Sequence, residues 1–372
     1  MMKRREFGER LVGSAIGTCL AIPGAPETAS GQALPNARKN NLMHVGGDYH
    51  SVAGSGITSK ENLEFNLRHG VRHLTVLAKK GPEGGGAWDL DELKRMKDDC
   101  GRYGVTLEAI RMEPDYITLP KGAERDRELD NIIGNIQKAS QVGVKVITHH
   151  WAVIPIRRNR RTTGRGNASY AGFQLEQNWK DLPVTKSGRV SAEDYWERIT
   201  YFLEKVIPVA RQHDVRMACH PYDPPGLPFG YQGVDNWDSP TVFEAIKRYE
   251  SIVDSPYNGF QLCLGTTAEG LKKPGTEILP IVQYLGERSK IHQIHMRNIR
   301  GGLHSFEEVY PDEGEMDFFK VMRILRDVQF PGSICPDHMP HHPDDPGGLQ
   351  SFAFGYGYLK ALIQAVNSEV QG

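Results

Sequence analysis

From residue 41 onward the chain alternates short β-branched or apolar runs with stretches whose apolar residues recur at helical spacing, and the alternation repeats eight times. Each parallel strand needs a crossover long enough to hold a helix, so this pattern dictates a parallel sheet with helices packed outside it. The strand runs fall at 42–46, 72–77, 106–111, 145–149, 216–220, 259–264, 291–295 and 332–337. Helical spacing is clearest at 89–103, 125–142, 192–212, 240–251 and 316–328. Eight strands close a barrel, so the predicted fold is α/β, a (β/α)8 TIM barrel spanning 41–372. The 40 glycines and 23 prolines lie mostly between the periodic segments, as loops on a regular scaffold do.

Charge excludes some roles. With 45 Lys and Arg against 46 Asp and Glu, no global field draws in nucleic acid or an anionic membrane. The predicted partner is a small molecule, with room for assembly into a homo-oligomer. Residues 1–35 read differently: Lys3-Arg4-Arg5-Glu6-Phe7 precedes a weakly apolar run from Leu11 to Ile22, then Pro, Ala, Ser and Gly. This is the pattern of a twin-arginine-like export signal and linker, too short in its apolar part to span a bilayer. A periplasmic or otherwise exported location follows, or a cytoplasmic one if the segment is only a basic N-terminus. Between strand four and the next helix, 151–189 is rich in Arg, Gly, Asn and Thr without helical or strand period. It reads as a long loop over the barrel mouth, with Arg157, Arg158, Arg160, Arg161 and Arg165 as partners for carboxylates.

His220, Cys263, His295 and Asp337 stand at or near the ends of four consecutive predicted strands. In a barrel the C-terminal strand ends converge on one pocket, so distance along the chain is no obstacle to a shared site. A histidine at one strand end is usually a structural residue, and a buried cysteine usually a small apolar one. Four potential ligands in one register are a different matter. Two imidazoles, a thiolate and a carboxylate suit a divalent transition ion, with zinc, manganese and iron all open on ligand chemistry. The competing use of Cys263 is a disulfide with Cys100, Cys219 or Cys335.

The stretch 207–225, ending in Cys219-His220-Pro221-Tyr222-Asp223-Pro224-Pro225, resembles the mannonate dehydratase family, a group of xylose-isomerase-like barrels. Asn258-Gly259-Phe260-Gln261-Leu262-Cys263-Leu264-Gly265, His295-Met296-Arg297-Asn298, Gly314-Glu315-Met316-Asp317 and Pro336-Asp337-His338 follow in the family's order. The resemblance implies that His220, Cys263, His295 and Asp337 bind a metal, usually Mn2+ with Fe2+ or another divalent transition ion as substitutes. It places Arg297 near the substrate and implies dehydration of D-mannonate or a related sugar acid to a 2-keto-3-deoxy acid.

The substrate shell departs from the family. Tyr222 replaces the first aspartate of the proline-rich motif, Cys335 stands where arginine usually precedes Pro-Asp, and Glu308-Val309-Tyr310-Pro311 replaces a histidine-bearing stretch. Proton transfer then falls to Tyr310 or His338, with His149, His150 and His304 as further candidates and Arg297 expected on the substrate carboxylate. Asp223 is expected to orient a ligand or loop. The alternatives are a metal-dependent sugar isomerase or epimerase on the same barrel, and a non-catalytic sugar-binding protein.

Overall fold

Parallel strands and outer helices alternate as their hydrophobic periods require in the computed structural model, which describes residues 42–82, 84–113 and 115–370. The strands in chain order are β1 (His44–Val45), β2 (His73–Leu77), β3 (Thr106–Arg111), β4 (Val146–His150), β5 (Arg160–Thr163) and β6 (Ser169–Gln174). They continue with β7 (Arg216–His220), β8 (Asn258–Cys263), β9 (Ile291–His295), β10 (Asn298–Gly302), β11 (Ser305–Val309) and β12 (Ser333–Cys335). Eight of them form one parallel sheet in the order β1-β12-β9-β8-β7-β4-β3-β2. A parallel bridge between Gly47 and Leu74 brings its two edges together and makes the barrel. The predicted export signal and linker, 1–35, lies outside the described residues, among which no helix is long and apolar enough to cross a membrane.

Local chemistry sets the helix ends. Before Ala192–Gln212, Ser191 Oγ accepts the Asp194 N–H while the Asp194 carboxylate accepts the Ser191 N–H, a reciprocal cap that satisfies two otherwise orphaned donors. Asp89 and Asp317 cap Leu90–Arg102 and Phe318–Asp327 through their carboxylates. Inside the barrel β8 is buried at every residue, as a strand covered on both faces must be. The interior also carries polar groups that satisfy one another: Gln293 Nε2 donates to Thr75 Oγ1 at 2.7 Å and to Ser333 Oγ at 3.0 Å.

The segment 151–189 departs from its expectation as an irregular loop. It contributes β5 and β6 to a four-stranded antiparallel sheet in the order β10-β11-β6-β5. The strand period was hidden because β5, Arg160-Arg161-Thr162-Thr163, is an edge strand with little apolar content. Its pairing is decided by β6 and by the hairpin β10–β11, more than a hundred residues away in sequence. Arg158, just before β5, ties this sheet to Asp223, three residues beyond the C-terminal end of β7.

Candidate metal centre

The ends of β7, β8 and β9 and the turn after β12 deliver His220, Cys263, His295 and Asp337 to one place, where one ligand atom from each lies within 4.8 Å of every other. His220 Nδ1 is 2.6 Å from the Pro221 carbonyl, which takes its proton and leaves the Nε2 lone pair for a ligand. Nδ1 of His295 is buried, has no hydrogen-bond partner and lies 3.6 Å from Asp337 Oδ1. Its other nitrogen, Nε2, faces Asp48 Oδ2 at 3.3 Å and the Gln261 amide at 2.8 Å. A buried nitrogen held in place from behind and bare in front is what a ligand to a cation looks like, because an unsatisfied polar atom is otherwise costly.

Cys263 Sγ lies 3.3 Å from Asp337 Oδ2 and receives the Thr266 N–H at 3.4 Å. Burial pushes its thiol well up, so a thiolate here requires a cation. Burial would also raise Asp337, but His338, Arg297, His295 and His50 around it hold its carboxyl well below the usual range. All four cysteines among the described residues are free, so Cys263 is not spent on a disulfide. The donor set therefore fits a divalent transition ion.

Behind the ligands sits a buried charge network. Arg297, 2 % exposed, donates to Asp223 at 3.0 Å, Glu269 at 2.9 Å and Glu308 at 2.9 Å, and lies 3.5 Å from Asp337. Both terminal nitrogens are committed to the protein's own groups and Nε is buried, so the expected grip on a substrate carboxylate has no exposed guanidinium edge to use. Arg158, from the segment before β5, joins the same carboxylates: Asp223 at 2.6 Å, Glu308 at 2.8 Å and Glu269 at 3.2 Å. Three more arginines of that segment also meet the protein's own acids, Arg157 with Glu176, Arg160 with Glu307 and Arg165 with Asp312, whereas Arg161 is exposed on β5. Asp223, expected to orient a ligand or a loop, is bonded to Arg158 in the segment before β5.

His338 stands at the edge of this network. Its Nδ1 is 2.7 Å from Glu308 Oε1 and 2.6 Å from Arg297, while Nε2 lies 3.8 Å from Asp337. Glu308, despite burial that would raise it, is held down to about 2 by His338, Arg158 and Arg297, so it is an anion able to accept the His338 Nδ1 proton. Tyr310 goes elsewhere. It packs against Tyr170 and Phe354 under the Arg165 guanidinium, lining a surface cavity of about 360 Å³ with His342. Of the other candidates, His149 is buried beside Trp151, with burial pushing it down to about 3, and His304 bonds the Gly226 carbonyl. Neither belongs to the cluster of His220, Cys263, His295 and Asp337.

Several site residues were missed in the sequence. Asp48 is buried and bridges His295 and His50, with His50 Nδ1 3.1 Å from both its oxygens and 3.5 Å from Asp337. The His50 and His338 rings stand edge to face, 5.2 Å apart. Arg111 ends β3 and contacts Tyr49, at 3.1 Å, and His150, at the end of β4. Gly46-Gly47-Asp48-Tyr49-His50 follows a strand end as the four ligands do, so the rule that found those would have found these if applied to the first strands.

The D-mannonate dehydratase (UxuA) family model matches residues 171–372. A mannonate dehydratase of Thermotoga neapolitana is 30% identical over 325 residues, covering 76% of this chain and 88% of that protein. One from Streptococcus agalactiae is 27% identical with the same coverage. The crystal structure of mannonate dehydratase from Streptococcus suis superposes with a TM-score of 0.75 at 22% identity, over 89% of this chain and 95% of that one. The chain therefore belongs to the D-mannonate dehydratase family of hydro-lyases.

Proposed function

We propose that this chain removes water from D-mannonate or a closely related aldonic acid to give a 2-keto-3-deoxy acid, with Mn2+ as the working ion. The observation that carries the reading is the convergence of His220, Cys263, His295 and Asp337 beside two half-exposed histidines, His50 and His338. A divalent ion held by the four ligands supplies a Lewis acid for negative charge developing on substrate oxygens.

The protein's own groups handle the protons. Asp48 takes the Nδ1 proton of His50 and leaves its Nε2 for the substrate, in the way a carboxylate sets a catalytic imidazole's tautomer, while Glu308 and the Arg297 guanidinium both meet Nδ1 of His338 and hold its ring with Nε2 outward. One imidazole accepts the proton beside the substrate carboxylate. The other enters the reaction as an imidazolium and gives its Nε2 proton to the neighbouring hydroxyl, which leaves as water when its C–O bond breaks, and the resulting enol tautomerises to the keto acid. Arg111, half-buried at the mouth beside Tyr49 and His150, is the guanidinium placed for the substrate carboxylate.

The Lys3-Arg4-Arg5-Glu6-Phe7 pattern supports export of this chain, which cell fractionation tests directly. For the reaction, metal-loaded protein is incubated with D-mannonate and Mn2+, with His220→Ala as the blank. Appearance of the 2-keto-3-deoxy acid with wild type alone is the expected result. A product of unchanged mass identifies an isomerase or epimerase and overturns the reading, as does full turnover by His220→Ala.

A further inference from the structure

At the opposite ends of the barrel strands from the metal centre, His44 opens β1, His73 opens β2 and Glu108 sits third in β3. Nε2 of His44 and Nδ1 of His73 each lie 2.8 Å from the same oxygen, Oε2 of Glu108. The two rings face one another with centroids 3.8 Å apart. His44 Nδ1 is 2.8 Å from the Leu42 carbonyl, and only a protonated nitrogen bonds a carbonyl. In neutral His44, Nε2 is then a bare lone pair aimed at a carboxylate oxygen. His73 Nδ1 is a buried atom that makes no hydrogen bond despite its approach to Glu108. With His73 Nδ1 unprotonated as well, three acceptors converge on one point, an arrangement that a cation among them stabilises.

The backbone is arranged around this cluster. Leu74 pairs with Leu107 but Thr75 pairs with Ala109, so Glu108 is the extra, unopposed residue of a bulge, a device that re-aims a side chain. The cluster also straddles the seam where the sheet closes. β1 and β2 share no strand ladder, and the Gly47–Leu74 bridge, with the Gly47 N–H bonded to the His73 carbonyl at 2.9 Å, joins them. Two imidazoles and a carboxylate are a recurring facial triad for divalent transition ions. Donors bound at about 2.0–2.1 Å on one face of an octahedral ion lie about 2.9 Å apart, close to the 2.8 Å observed here.

We propose that His44, His73 and Glu108 form a second divalent-metal site that clips β1, β2 and β3 together across the closure seam, separate from the ligands at the strands' C-terminal ends. The ion class is a borderline transition cation such as Zn2+, with water completing its shell, and its role is to hold the fold rather than to react.

Full-length protein is stripped with chelator, reloaded with Zn2+, freed of excess by gel filtration and assayed for metal content. The expected content is about two ions per chain in wild type and about one in the double variant His220→Ala with Asp337→Asn, which lacks the other site. Glu108→Gln and His73→Gln each also retain about one, and if one of the two fails to fold by circular dichroism the other gives the result. Zn2+ is further expected to raise the Tm of the double variant, and adding Glu108→Gln to it abolishes the rise. A wild type that holds one ion, lost entirely in the double variant and unchanged by Glu108→Gln, overturns the proposal and leaves protons as the cations of the cluster.

Discussion

The Asp48 carboxylate lies between His50 and His295, 3.1 Å from Nδ1 of the first and 3.3 Å from Nε2 of the second. It thereby orients one metal ligand from behind and one proton-handling imidazole beside it. Outer carboxylates of this kind fix the tautomer and raise the basicity of a ligand histidine, and losing one typically costs about 10–100-fold in metal affinity. Asp48→Asn is expected to weaken metal binding by that order, read by chelator competition. Affinity equal to wild type would mean that Asp48 serves His50 alone.

Arg297 offsets two buried carboxylates, Asp223 and Glu308, and also bonds Glu269, whose carboxyl is pushed well up by burial. Removing one partner of a buried ion network leaves uncompensated charge, at a cost of about 3–5 kcal/mol. Arg297→Leu should therefore lower stability by about that amount in a denaturant titration. A variant with wild-type stability and only a raised KM would restore the substrate-binding role expected from the sequence.

His338 and Tyr310 separate cleanly in the structure, one beside the metal ligands and the other in the surface cavity with Arg165. His338→Gln is expected to lower kcat by about 10²–10⁴-fold, the range of a lost acid or base. Tyr310→Phe should leave kcat within about twofold, since its ring packing survives. Steady-state kinetics on both variants checks the pair, and a collapse of kcat in Tyr310→Phe would return that hydroxyl to the chemistry.

Glu308 gives the fold an acid-sensitive contact. Its folded value of about 2 lies below the ordinary glutamate value of 4.5, so its contribution is present in full above that ordinary value and is lost as pH falls from there towards 2. Wild type should lose stability over that window more steeply than Glu308→Gln, in urea titrations at a series of pH values. Parallel pH profiles for the two proteins would show that Glu308 is not ionised by its neighbours as described.

Much of the barrel was legible because its signals are local. β3, β7 and β9 have the bounds their apolar runs predicted, and the helix Ala192–Gln212 begins after a cap written in Ser191 and Asp194. The convergence of His220, Cys263, His295 and Asp337 was legible too, since a strand end is a local feature and the barrel rule then brings such ends together. Arg297, by contrast, was read from its position in a motif, and its commitment to internal acids was not visible because those acids come from other elements.

What the sequence by itself determined is therefore the barrel, the order of its strands and the identity of four donors at their C-terminal ends. Only the tertiary structure decided that the 151–189 segment pairs with β11 as a sheet, that Asp48 backs His295, that Tyr310 turns away, and that His44, His73 and Glu108 meet at the seam. The physical reason is common to all four. Each depends on contacts between residues far apart in the chain, whose energies act only once the barrel has closed and set their distances.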